Sequence, residues 1–137
     1  MVALLLAAAV AQLSFSDLFE AAGPLRPSRR AEELSGKRVR IEGFMARMEI
    51  PPSGAFWLCK APLELDEGGG GSGDLPVESI LVVLTPPQEG PVAPIRGPLR
   101  VEGRFETGRK VSPDGTVSLF RIVLDPSRQS RTHKEKR

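Results

Sequence analysis

The chain has 137 residues, 40% of them hydrophobic but only 5% aromatic, and it carries 14 Gly and 13 Pro. That is enough for one domain with a mainly aliphatic core, and it favours short strands and many turns over long helices. The formal charge of +2 joins two unlike parts: the last ten residues hold five Lys/Arg and one Glu (+4), and the rest holds 14 basic and 16 acidic residues (−2), which argues against a basic nucleic-acid face on the domain itself.

Met1 to Ala11 is an apolar run ending in Ala9-Val10-Ala11, a small-x-small pattern ahead of Gln12. It is too short to be a transmembrane helix and reads as a signal peptide over 1–11, which implies a periplasmic or secreted protein. No Lys or Arg precedes the run, so the alternative is an apolar segment packed on a cytoplasmic domain. Residues 12–35 are expected to form a helical and loop segment. Ser16 stands as a helix cap, Gly23-Pro24 stops that helix, and Ser28 caps a second short turn through Glu32 to Leu34.

Five strands are predicted within 36–126. The first covers 37–49 and bends at Gly43; the second covers 55–60 after a Pro51-Pro52-Ser53-Gly54 turn. The third, 79–84, holds Ile80-Leu81-Val82-Val83, four apolar residues in succession, and is expected to be buried on both sides. The fourth covers 97–107. The fifth, 116–124, follows Ser112-Pro113-Asp114-Gly115, a hairpin signal that makes these last two strands antiparallel neighbours. Arg40-Ile41-Glu42-Gly43 and Arg100-Val101-Glu102-Gly103 repeat one pattern, with apolar and charged positions alternating as in a strand with one dry face. Val39, Ile41, Leu99, Val101, Ile122 and Leu124 are the expected core positions. Arg38, Arg40, Glu42, Arg100, Glu102, Arg104 and Glu106 are expected to form surface ion pairs.

The fold class is thus all-β: a small five-stranded OB-like barrel with a short N-terminal helical segment, the first and fourth strands adjacent. An open β-sandwich or roll is the alternative. Residues 127–137 read as a disordered basic tail.

Little chemistry can be assembled. A single Cys59 excludes an intramolecular disulfide, and a single His133 in the tail leaves neither a Cys/His zinc cluster nor a Ser-His-Asp triad. Glu64, Asp66, Glu67, Asp74 and Glu78 flank the glycine run 68–73. Their spacing is not that of an EF-hand, and no Gly-Lys-Ser/Thr follows the glycines as a phosphate loop requires. No metal and no cofactor is expected. Cys59 reads as a small buried hydrophobe. By analogy of fold alone, OB-like barrels bind on the face of the second and third strands. That singles out Trp57, Lys60, Asp66, Glu67, Asp74 and Glu78 as ligand-binding candidates.

Phe15-Ser16-Asp17-Leu18, the stretch Leu34 to Met45, Val101 to Phe105, and Leu119 to Leu124 together resemble a family of exported bacterial proteins of unknown function. Its members pair an aromatic-x-Asp-Leu start with a Leu-x-Gly-Lys-x-Val-x-Ile-x-Gly-aromatic strand. The resemblance covers about residues 14 to 125 and implies an OB-like barrel and export, but no activity. In that family the middle strand leads into a Cys/His- and Pro-containing segment; here Cys59 has no His nearby.

The expected function is an exported, non-enzymatic binding or accessory module for a protein, peptide or small molecule. The alternative is a cytosolic single-stranded nucleic-acid binder that uses the basic tail for phosphate contacts.

Overall fold

The computed structural model of the protein describes residues 9–65 and 75–125. The greater part of the signal segment, the candidates Asp66, Glu67 and Asp74, and the basic tail lie outside the described residues. What is described is mostly β: β1 (Ala11–Gln12), a single 3-10 turn (Phe15–Asp17), α1 (Arg29–Leu34), β2 (Arg38–Met45), β3 (Arg47–Met48), β4 (Ala55–Cys59), β5 (Glu64–Leu65), β6 (Ile80–Val83), β7 (Pro98–Val111) and β8 (Val117–Leu124).

One mixed sheet runs β1-β2-β4-β6-β8-β7, and β2 also pairs with β7, so the pairings from β2 onward return to β2. The β6–β8 pair is parallel; β2–β4, β4–β6, β7–β8 and β2–β7 are antiparallel. β3 and β5 form a separate parallel pair.

The repeated tetrapeptide has a structural reason. In the β2–β7 register Arg40 stands opposite Glu102, Ile41 opposite Val101 and Glu42 opposite Arg100. Two copies of one pattern running in opposite directions put each Arg across from the other copy's Glu. Arg40 Nε donates to Glu102 Oε2 at 2.7 Å, and Arg100 Nε lies 3.5 Å from Glu42 Oε2. The glycines that close each tetrapeptide face inward where backbones crowd. A Cβ on Gly103 would sit 2.1 Å from the Val123 carbonyl oxygen, and one on Gly43 would sit 2.7 Å from that of Cys59.

The main core is formed by Val39, Ile41, Met45, Phe56, Leu58, Ile80, Val82, Val101, Phe105, Phe120 and Ile122 of the strands, joined by Leu13, Phe15 and Leu18 and by Ala31 and Leu34 of α1. Phe105 stacks on Phe120 with centroids 6.1 Å apart, and Phe19 meets Phe120 edge-on at 5.1 Å. Ser28 caps α1 by accepting from the Ala31 N–H at 2.9 Å.

Several expectations are corrected. The N-terminal helix placed at Ser16 is one 3-10 turn, and the group engaging its end is Ser14, whose N–H donates to the Asp17 carboxylate. The first strand does not reach Glu49. Ala46 N–H still donates to the Trp57 carbonyl, but Arg47 N–H donates to Leu63, which draws the chain off to β5. The fourth strand runs on to Val111 across a register shift between Thr107 and Lys110. Leu99 and Leu124 are half-buried, at the margins of the core. Glu102, expected on the surface, is buried, with Arg40 at 2.7 Å and Arg38 at 3.9 Å supplying the charge that makes burial tolerable.

Candidate functional site

β4 and β6 are apolar on both faces. Phe56, Leu58, Ile80 and Val82 enter the main core, while Ala55, Trp57, Cys59 and Leu81 form a second cluster with Ala46 on the opposite face. Register explains the division: Trp57 pairs with Leu81 and Phe56 with Val82, so alternate residues of both strands share a face. Met48, Leu63, Leu75 and Val83 pack against this outer cluster.

Beside it lies a cleft of about 220 Å³ lined by Trp57, Leu75, Pro76, Val77, Ser79, Val117 and Leu119. Trp57 is only 6% exposed, whereas Val77, Val117 and Leu119 are 54%, 41% and 40% exposed. The cleft therefore joins a buried aromatic to aliphatic side chains open to solvent, and among the described residues none that lines it is charged.

Of the sequence candidates, Trp57 lines this cleft. Lys60 and Glu78 are brought together next to it, with Lys60 Nζ 3.8 Å from Glu78 Oε2. Lys60 is exposed, so this pair contributes little to stability. Cys59 is buried and contacts Ser79 Oγ at 3.4 Å; burial pushes its thiol pKa up, away from the nucleophilic thiolate. Sequence reasoning missed Val117 and Leu119 as cleft residues. Their alternation with Ser118 was the available signal, but it was masked by Phe120 and Ile122, which make the strand apolar on both faces.

A polar network lies further along β8. Arg121, 6% exposed, donates through Nε to Glu106 Oε1 at 3.1 Å, and through Nη1 to the Gly108 carbonyl at 2.8 Å and Ser118 Oγ at 3.1 Å. Burial raises the Glu106 pKa, but the bonds from Arg121 and Arg104 outweigh it and hold the carboxyl below its ordinary value. The guanidinium thus fills the gap left by the register shift in β7 and reads as structural. A second cleft, about 320 Å³, is lined by Gly36, Arg38, Thr85, Gly103, Arg104, Val123, Leu124 and Asp125. Its Arg38 already donates to Asp125 at 2.7 Å, which leaves this cleft less suited to a charged ligand.

No family model matches the chain, and no curated protein matches it. Among solved structures, the chain is similar to a DUF3299 family protein from Pseudomonas aeruginosa PAO1, at 16% identity and a TM-score of 0.48, over 85% of this chain and 93% of that one. Among the described residues, no helix is long and apolar enough to cross a membrane.

Proposed function

We propose that the protein is an exported, non-enzymatic binding module on an OB-like five-stranded barrel, with its ligand taken on the outer face of β4 and β6 and the adjoining part of β8. The observation that carries this reading is the cleft beside Trp57, uncharged among the described residues, where Val77, Val117 and Leu119 stay open to solvent. Clustered exposed aliphatics over a buried aromatic are the mark of a contact surface. The barrel reading is supported by the ring of pairings that leaves β2 and returns to it. Export is supported by the signal-like run Met1 to Ala11. Cleavage after Ala11 leaves Leu13, Phe15 and Leu18 in place for the core.

What the cleft supplies is apolar contact area and one hydroxyl, Ser79, already engaged with Cys59. That suits a protein, peptide or small apolar ligand better than a polyanion. Two measurements test the reading. N-terminal sequencing of protein recovered from a periplasmic extract is expected to start at Gln12; intact protein confined to the cytoplasm overturns export. Titration with a fluorescent single-stranded oligonucleotide at about 150 mM salt is expected to give only weak, salt-sensitive binding. Tight binding that Trp57→Phe weakens would favour a nucleic-acid binder instead.

A further inference from the structure

Between β6 and β7 the chain crosses the surface through Pro91-Val92-Ala93-Pro94-Ile95-Arg96. These six residues form neither helix nor strand, and among the described residues none of them makes a backbone–backbone hydrogen bond. Composition explains this. Each proline lacks an N–H and fixes φ near −65°, roughly, and Pro94 pushes Ala93 before it into extended backbone. None of the six has a positive φ. Proline spacing of three with an unbonded, extended backbone favours the polyproline II helix, whose backbone is left to water. Both ends of the segment are held. Gly90 N–H donates to Ser53 Oγ at 3.0 Å and the Gly90 carbonyl accepts from Gly54 N–H at 2.8 Å, while beyond the other end Pro98 enters β7 opposite Phe44.

Three residues per turn sort the six into three ridges: Pro91 with Pro94, Val92 with Ile95, and Ala93 with Arg96. Val92 is half-buried and packs against the main core, which turns its ridge toward the domain. All four residues of the other two ridges are exposed. Arg96, the last of them, has no ion-pair partner among the described residues.

We infer that Pro91 to Arg96 is a docking segment for a partner protein whose groove is lined by aromatic side chains and ends in an acidic pocket, the chemistry of an SH3-type reader of polyproline II ligands. Such a groove lays aromatic rings against the prolines, and its acidic pocket takes the basic residue of Pro-x-x-Pro-x-Arg. A flat groove can meet only two ridges of a three-sided helix. Here the ridge left over is the one packed on the domain, so the segment can be read in place. Anchoring at both ends lowers the ordering cost of binding. Arg96 decides for a groove with an acidic pocket over a purely aromatic one, since the acidic residue of this stretch, Glu89, precedes the first proline of the motif. The contact shares no residue with the cleft beside Trp57 and does not rest on it.

The probe is an isotope-labelled SH3 domain that reads Pro-x-x-Pro-x-Arg ligands, titrated with the unlabelled full-length protein while its amide shifts are followed. Saturable shifts confined to the aromatic groove and the acidic pocket are expected. Pro94→Ala and Arg96→Glu, both at exposed positions, are each expected to keep the fold by circular dichroism and to weaken binding about tenfold or more. Ile95→Ala, on the ridge shared with Val92, is expected to change binding by less than about twofold. Absence of saturable shifts overturns the proposal. So does binding that Pro94→Ala leaves intact while added salt removes it, which would be charge attraction to Arg96 alone. A loss with Ile95→Ala equal to that with Pro94→Ala contradicts the ridge assignment and overturns this mode of docking. The cleft beside Trp57 is judged separately, by the N-terminal and oligonucleotide measurements.

Discussion

The inner and outer faces of β4 and β6 are equally apolar but differently enclosed. Phe56, Leu58, Ile80 and Val82 face the main core, where residues of β2, β7, β8, α1 and the N-terminal segment pack with them. Ala55, Trp57, Cys59 and Leu81 face outward under a thin cover that includes Met48, Leu63 and Leu75, and among the described residues the cover leaves Val117 and Leu119 partly exposed. The difference teaches that apolar character alone does not separate an enclosed face from one that reaches solvent; what separates them is whether further residues pack over the side chains.

The largest expected effect comes from the inner face. Val101→Asp places an unpaired carboxylate at a 4% exposed position opposite Ile41 and is expected to cost at least about 3–5 kcal/mol, enough to unfold a domain of this size. A variant with wild-type thermal stability would break the assignment of β7's inward face. Leu58→Ala is expected to cost about 2–5 kcal/mol by denaturant titration, as truncation in an enclosed core does. Next comes the seam between the repeated tetrapeptides. Glu102→Ala removes the acceptor opposite Arg40, yet Arg38 keeps Asp125 and both arginines reach water, so a loss of about 1–2 kcal/mol is expected.

The effect of pH is smaller and has a definite sign. Glu106 and Asp114 both lie below their ordinary values of 4.5 and 3.8, the first because bonds from Arg121 and Arg104 outweigh burial, the second because the Ser53 and Thr116 N–H groups donate to it. A lowered folded pKa gives stability that is present above the unfolded value and lost as pH falls through the folded one. Thermal melts are therefore expected to be insensitive to these two groups from pH 7 to 5 and to drop below about 4.5, and Glu106→Gln is expected to lessen that drop. The smallest change is on the outer rim. Leu119→Ser is expected to alter stability by no more than about 0.5 kcal/mol. A loss comparable to that of Leu58→Ala would erase the distinction between the two faces.

Much of this arrangement is legible in the sequence because it is local. The period-two alternation in β2 and β7 places Val39, Ile41 and Val101 inward, and the residue order 55–59 separates Phe56 and Leu58 from Trp57 and Cys59. Lys60 and Glu78, chosen by analogy, come within ion-pair distance. The remainder depends on partners distant in the chain. The departure after Met45 requires the Leu63 carbonyl to accept from Arg47, and the burial of Glu102 requires the two arginines of β2. The cleft beside Trp57 joins residues of β4, of β8 and of the turn before β6, a property of three segments that no single one of them displays.

The central claim, that the outer cluster opens to solvent beside Trp57 while the inner face of β4 and β6 is enclosed, is tested most directly by the relaxation of side-chain methyl groups in the presence of a soluble paramagnetic probe. The methyl groups of Val77, Val117 and Leu119 are expected to be strongly relaxed, and those of Leu58 and Ile122 to stay near their values without the probe. Equal relaxation of the two sets would contradict the account.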